Sequence, residues 1–194
     1  LKVINSRPVS HILVTHTHRD HSPLAGKLKA ITGAVTVAEG PHRFISSSGP
    51  DMLNGLDASA DFEFMPDKAV KDGERIDCGA FAITAITTPG HAENHVAFAL
   101  EDSGVLFSGD HVMGWATTIV APPDGSMQSY LESLEKLVRR TDRLYLPGHG
   151  GQIEKPRLRV RALKTHRLQR EAAILEKIRQ GERTLRRIVE TVYA

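Results

Sequence analysis

The chain has 194 residues, of which 40% are hydrophobic and 25% charged, a balance that can bury a core in one compact domain or one domain with a small appendage. Its single thiol, Cys78, excludes an internal disulfide and a thiolate metal cluster, and as a small buried hydrophobe it fits a reducing, cytoplasmic setting. A net charge of +2 is too small to argue for a nucleic-acid partner, and no run approaches the roughly 20 apolar residues that cross a bilayer.

Leu1 to Asn5 lack the basic start and apolar run of a secretory leader. His11 to Thr15 reads as a short buried strand, and Ser22-Pro23 as an N-cap opening a helix to about Ile31. Val35–Ala38 is a second strand, and the Ser-, Gly- and Asp-rich segment from Ser46 to Ser59 is a long loop. Strands are expected at Asp61–Met65, Arg75–Asp77, Phe81–Thr87, Val96–Leu100 and Val105–Phe107, the last two joined by a hairpin turn at Glu101–Gly104. Ser126 caps a helix to about Arg139, whose apolar positions recur at helical spacing. A strand at Arg143–Leu146 follows, then helix from Pro156 to about Gln180 and a final one capped by Thr184.

The run His16-Thr17-His18-Arg19-Asp20-His21 places four metal-ligating side chains in six positions, directly after a buried strand. In extended chain His16 and His18 point the same way, and the following turn swings Asp20 and His21 toward a neighbouring point. A catalytic zinc takes three protein ligands plus water, so further ligands must come from elsewhere. His91, Asp110 and His149 each stand at the end of an expected strand beside a glycine, where a scaffold presents functional groups and backbone can approach closely. Any one of these histidines could be an ordinary surface residue; the joint pattern points to a metal site.

The run His16 to His21 resembles the H-x-H-x-D-H signature of the metallo-β-lactamase superfamily, with His91, Asp110 and His149 following in the family's order. Phe107-Ser108-Gly109-Asp110, Tyr145 to Gly150 and Thr165 to Glu171 are similar to its glyoxalase II-like and lactamase-like ribonuclease branches. The resemblance implies an α/β fold, a four-layer αββα sandwich, over residues 1–154, with 155–194 as a helical segment that begins a winged-helix-like tail. It implies two divalent metal ions: His16, His18 and His91 hold the first, Asp20, His21 and His149 the second, and Asp110 bridges them. Zinc suits these nitrogen and oxygen ligands, with iron and manganese open. Asp20 and Asp110 are then the catalytic pair, Asp20 orienting the nucleophile and Asp110 setting the metal separation. The commonest true lactamases place a cysteine where Asp110 stands, which argues against antibiotic hydrolysis.

His95 reads as a packing residue or a partner to a ligand, and His111 as a neighbour of the site. Trp115, Thr117 and Thr118 follow the bridging aspartate and are placed to line a pocket, Trp115 either as wall or as core. His166 reaches the rim or is structural, and His11 and His42 are structural or exposed. From Lys155 to Arg170 seven basic residues occur with no acid, either a solvated helix face or the seat of an anionic partner.

Fifteen residues precede His16, so the family's N-terminal strands are expected to be absent, leaving a sheet edge that favours a homodimer. The expected substrate is an ester or thioester, or a phosphodiester in a nucleic acid, the basic helix tilting the reading to the latter. A structural metal-binding relative and a di-iron redox variant are the alternatives.

Overall fold

The computed structural model describes residues 2, 4–5, 7–44 and 59–193, so the expected loop at Ser46 to Ser59 lies, apart from Ser59, outside them. The elements run β1 (His11–Leu13), α1 (Leu24–Thr32), β2 (Val35–Ala38), β3 (Lys68–Ala69), β4 (Arg75–Asp77), β5 (Ala82–Thr87), β6 (Val96–Leu100), β7 (Val105–Gly109), α2 (Met127–Val138), β8 (Leu144–Pro147), α3 (Pro156–Arg179) and α4 (Leu185–Val192). Strands β1-β2-β3 form a parallel sheet, and β4-β5-β6-β7-β8 a second sheet that is antiparallel up to β7 and parallel between β7 and β8.

The buried side chains define the layers. Val14, Ala25, Ala38 and Phe64 seat α1 on the first sheet. Val37 and Val70 of the first sheet region pack with Ile76, Ile83, Ala85, Val96 and Phe98 of the second. On the far side of the second sheet, Ala97, Ala99, Leu106 and Tyr145 meet Tyr130, Leu134 and Leu137 of α2 and Val160 and Leu163 of α3. The result is the expected helix–sheet–sheet–helix stack, because each sheet buries one face on the other and one under helices.

Three expectations are corrected. Ser22 does not cap α1; Pro23 holds that position, and the Ser22 hydroxyl donates instead to Asp61 Oδ2 at 2.6 Å. Asp61–Met65 is irregular, with the strand at Lys68–Ala69, since Asp61 is drawn into that side-chain bond and Thr17 O takes its N–H. Thr184 stands at the N-cap of α4, but its hydroxyl bonds Glu182 rather than the helix. Ser126 does cap α2, accepting from Ser129 N–H.

Among the described residues β1 is an edge strand, and beside it the two sheets enclose an apolar cavity of about 720 Å³ lined by Leu13, Phe81, Phe98, Phe107 and Leu146 among others. No helix of the described residues is long and apolar enough to cross a membrane. Strand direction fixes the site: β5, β7 and β8 run the same way through the second sheet, so their C-terminal ends share one edge. The end of β1 is tied to that edge by the Val96 N–H donating to Thr15 O at 2.8 Å.

Candidate metal centre

All seven expected ligands meet at that edge. His16, His18, Asp20 and His21 lie on the loop after β1, His91 after β5, Asp110 after β7 and His149 after β8. Their ligand atoms fall into three sets in which every atom is within 4.8 Å of the others: His16, His18 and His91; His16, His21 and Asp110; Asp20, His21 and His149. Asp110 stands between the groups. Its Oδ1 lies 3.5 Å from His21 Nε2, and its Oδ2 lies 3.3 Å from His149 Nε2 and 3.9 Å from His91 Nε2. Asp20 Oδ2 is 3.0 Å from His149 Nε2 and 3.4 Å from His21 Nε2.

The residues fit a pair of cations on three counts. First, His91 donates from Nδ1 to Ile119 O at 2.7 Å, which leaves the Nε2 lone pair facing the cluster. Second, His91 Nε2, His21 Nε2 and Asp110 Oδ1 are buried without a hydrogen-bond partner, a costly arrangement that a cation relieves. Third, a Cβ at Gly148 would lie 2.3 Å from Asp110 Oδ1, so only glycine leaves the carboxylate its place.

Burial favours the neutral form of His16 and His91, the form that binds metal. Burial, reinforced by the neighbouring histidines, drives the His16 pKa well below its usual value, and burial also lowers that of His91. At His21 burial works in the same direction, but the adjacent Asp110 carboxylate, with Asp20, outweighs it and raises the pKa. Asp110 itself is pushed up by burial, yet His21 and the other imidazoles hold its carboxyl below the ordinary range.

A supporting layer surrounds the ligands. His95 is fully buried, its Nε2 accepts from the Asp110 N–H at 3.1 Å and its Nδ1 is 2.8 Å from Thr88 Oγ1. Burial, then the charge of His111 and the other imidazoles, keeps its pKa well down. Thr118 is buried and its hydroxyl donates to the carbonyls of Asp110 and His111. Gly109 adopts φ +52°, and a Cβ there would strike His95 Nε2 at 2.6 Å, so this glycine admits both the turn and the ring.

A cavity of about 330 Å³ opens on the ligands. His18, Asp20, His91, Asp110 and His149 form one side, and Met113, Trp115, Ile119, Ala121 and Pro122 the apolar other. Trp115, 75% exposed, is therefore wall rather than core. Thr117 is exposed, and neither it nor His166 is among the residues lining this cavity. His111 lies behind the site, its ring centroid 4.5 Å from that of Tyr130. His42, read as structural or exposed, has a buried side chain whose Nδ1 pairs with Thr17 Oγ1 at 2.9 Å.

Two features escaped the sequence. Asp124 Oδ2 lies 2.6 Å from His18 Nε2, across 106 residues. The only local signal is an acid after two prolines, Pro122-Pro123-Asp124. The basic run of α3 turns inward in part: Arg159 donates to the carbonyls of Met113 and Ala116, Arg167 to Thr118 O, and Lys164 to Glu135.

Residues 1–149 match the sequence profile of the Metallo-beta-lactamase superfamily. The chain belongs to this superfamily. An atrochrysone carboxyl ACP thioesterase of Aspergillus fumigatus is 30% identical over 183 residues, covering 93% of this chain and 50% of that protein. The beta-lactamase-like protein 2 homolog of Drosophila melanogaster is 31% identical over 171 residues, 87% of this chain and 54% of its own. A metallo-beta-lactamase family protein of Thermus thermophilus superposes with a TM-score of 0.71 at 26% identity, covering 87% of this chain and 64% of that one. The chain thus spans about half the length of these curated superfamily relatives.

Proposed function

We propose that this superfamily member is a metal-dependent hydrolase of an ester or thioester with an apolar acyl or aryl part. The carrying observation is the convergence of buried, unpartnered imidazole and carboxylate atoms beside an apolar cavity wall. His16, His18 and His91 would hold one divalent cation, Asp20, His21 and His149 a second, with Asp110 shared. The donor set suits zinc, and iron or manganese as well. Such ions, when bound, bring the pKa of water toward neutrality and stabilise charge developing on the substrate oxygen.

The chain's own groups do the rest. Asp20, its side chain 58% exposed at the cavity, is placed to accept a proton from the attacking water. The backbone of Asp110 is held from behind by His95 and Thr118, which fixes the point from which its carboxylate reaches the cluster. Trp115, Ile119 and Met113 offer apolar surface to the acyl part and exclude water from it.

A phosphodiester substrate, favoured by the basic run alone, loses its main support. Arg159, Lys164 and Arg167 have partners inside the protein, and Arg170 donates to Val192 O and lies 4.8 Å over the Tyr193 ring. Four of the seven cations of the run thus have partners within the protein. The similarity to a fungal thioesterase supports the same choice.

The test is metal analysis of the purified chain, then turnover of an aryl thioester, an aryl ester and a bis-aryl phosphodiester with and without chelator. Thioester or ester cleavage that stops with chelator and returns with added zinc is expected. Chelator-insensitive cleavage, or cleavage of the phosphodiester alone, overturns the proposal.

A further inference from the structure

We infer that Asp124 is a positioning residue that fixes His18 in the tautomer and ring orientation needed to present Nδ1 to a cation. The inference rests on the metal centre described above and not on the identity of the substrate.

The two nitrogens of His18 have different neighbours. Nδ1 lies 3.0 Å from His16 Nε2, inside the ligand cluster. Nε2 lies 2.6 Å from Asp124 Oδ2, and a carboxylate there can only accept, so Nε2 carries the hydrogen. Nδ1 is then the lone-pair nitrogen, and it faces a second ring nitrogen on His16, whose Nδ1 is paired with Thr15 Oγ1 at 3.1 Å. The two ring nitrogens, 3.0 Å apart, are placed where one cation would meet both. The outer nitrogen of His16 pairs with the Thr15 hydroxyl, and that of His91 donates to a backbone carbonyl. Of the three, His18 has a carboxylate as its outer partner, which fixes the tautomer and the ring orientation.

Asp124 has a second imidazole beside it. Its Oδ1 faces His42 Nε2 at 3.6 Å, and the other His42 nitrogen bonds Thr17 Oγ1. Thr17 Oγ1 in turn accepts from Asn94 Nδ2 at 2.8 Å, and that amide also donates to the carbonyls of Gly40 and Pro41. Thr17 sits between His16 and His18, so the chain of contacts that starts at the ring of His18 returns to its own backbone through Asp124 and His42. Asp124 side-chain exposure is only 16%. A carboxylate so placed does not serve surface solubility.

Two measurements test the inference. In the metal-free wild-type chain labelled with 15N-histidine, long-range proton–nitrogen correlation reads the His18 tautomer directly. The hydrogen is expected on Nε2; a His18 that carries it on Nδ1 alone overturns the inference without any variant being made. In the second, cobalt and zinc are titrated into wild type, D124N, D124A and D124E against a competing chelator. Removing the carboxylate is expected to weaken one of the two sites by about 10- to 100-fold, with a changed cobalt absorption spectrum, and to leave the other site near wild type. D124E is expected to recover part of the loss. Wild-type affinities at both sites in D124A and D124N overturn the inference and leave the metal centre standing. A wild-type chain that takes up no metal overturns the centre itself, so the two failures are distinct. The isosteric D124N carries the measurement if D124A does not fold.

Discussion

Gly148→Ala tests the geometry of the centre without touching a ligand. The added methyl carbon would stand 2.3 Å from Asp110 Oδ1 and 2.9 Å from His21 Cε1. Optimal contact between such atoms is about 3.5 Å, so the carboxylate must retreat by about 1 Å. The backbone cannot yield instead, because Gly148 N–H donates to Gly109 O at 2.9 Å and ties the two strand ends together. A displacement of about 1 Å in a reacting constellation costs on the order of 100-fold, or about 2.7 kcal/mol of barrier. Crowding of this kind also lowers stability by about 1–3 kcal/mol. Metal stoichiometry by mass spectrometry and thioester turnover are the assays, with Gly151→Ala as control, since a Cβ there meets nothing within 4 Å. Gly148→Ala with two bound ions and wild-type turnover would refute the shared role of Asp110.

Three other substitutions probe the surroundings. Burial first, then the charges of His91 and Lys136, hold the His111 pKa down to about 3. Below pH 6.5 the unfolded chain therefore takes a proton that the folded one refuses, and stability, complete above 6.5, falls toward pH 3 by up to about 1.4 kcal/mol per pH unit. His111→Phe, packing on Tyr130, is expected to flatten that part of the urea-midpoint profile of the metal-free protein; an unchanged slope contradicts the assignment. Arg159→Ala removes the donors to Met113 O and Ala116 O, so faster hydrogen exchange over 113–118 and a raised KM at unchanged metal content are expected. Exchange as slow as in wild type would show that the wall does not depend on this arginine. Leu134, fully buried between α2 and the second sheet, is expected to cost about 2–5 kcal/mol as alanine by chemical denaturation, and a loss below that range would mean that the layer closes over the gap.

Local patterning made much of the fold legible. The hairpin of β6 and β7, the amphipathic α2 with its Ser126 cap, and the long α3 follow from residues that act on near neighbours. Two of the three readings that missed involve side chains with a better distant partner, and the third, Thr184, turns to Glu182 two residues away. Ser22 forsakes the helix for Asp61, and Asp61 in turn is drawn out of strand geometry. The seven candidate ligands stood out in the sequence for a different reason: metal-binding side chains beside glycine at strand ends are a chemical pattern as well as a conformational one.

What the sequence determined by itself is therefore the inventory: the ligand types, the apolar faces and the strand-end glycines. The tertiary structure decided which atoms face one another. Parallel β5, β7 and β8 bring three strand ends to one edge, and Asp124 reaches His18 across 106 residues. It also turned Arg159 and Arg167 from a basic face into clamps on the cavity wall. A charged side chain takes its meaning from the partner it meets, and partners distant along the chain are chosen only when the layers pack.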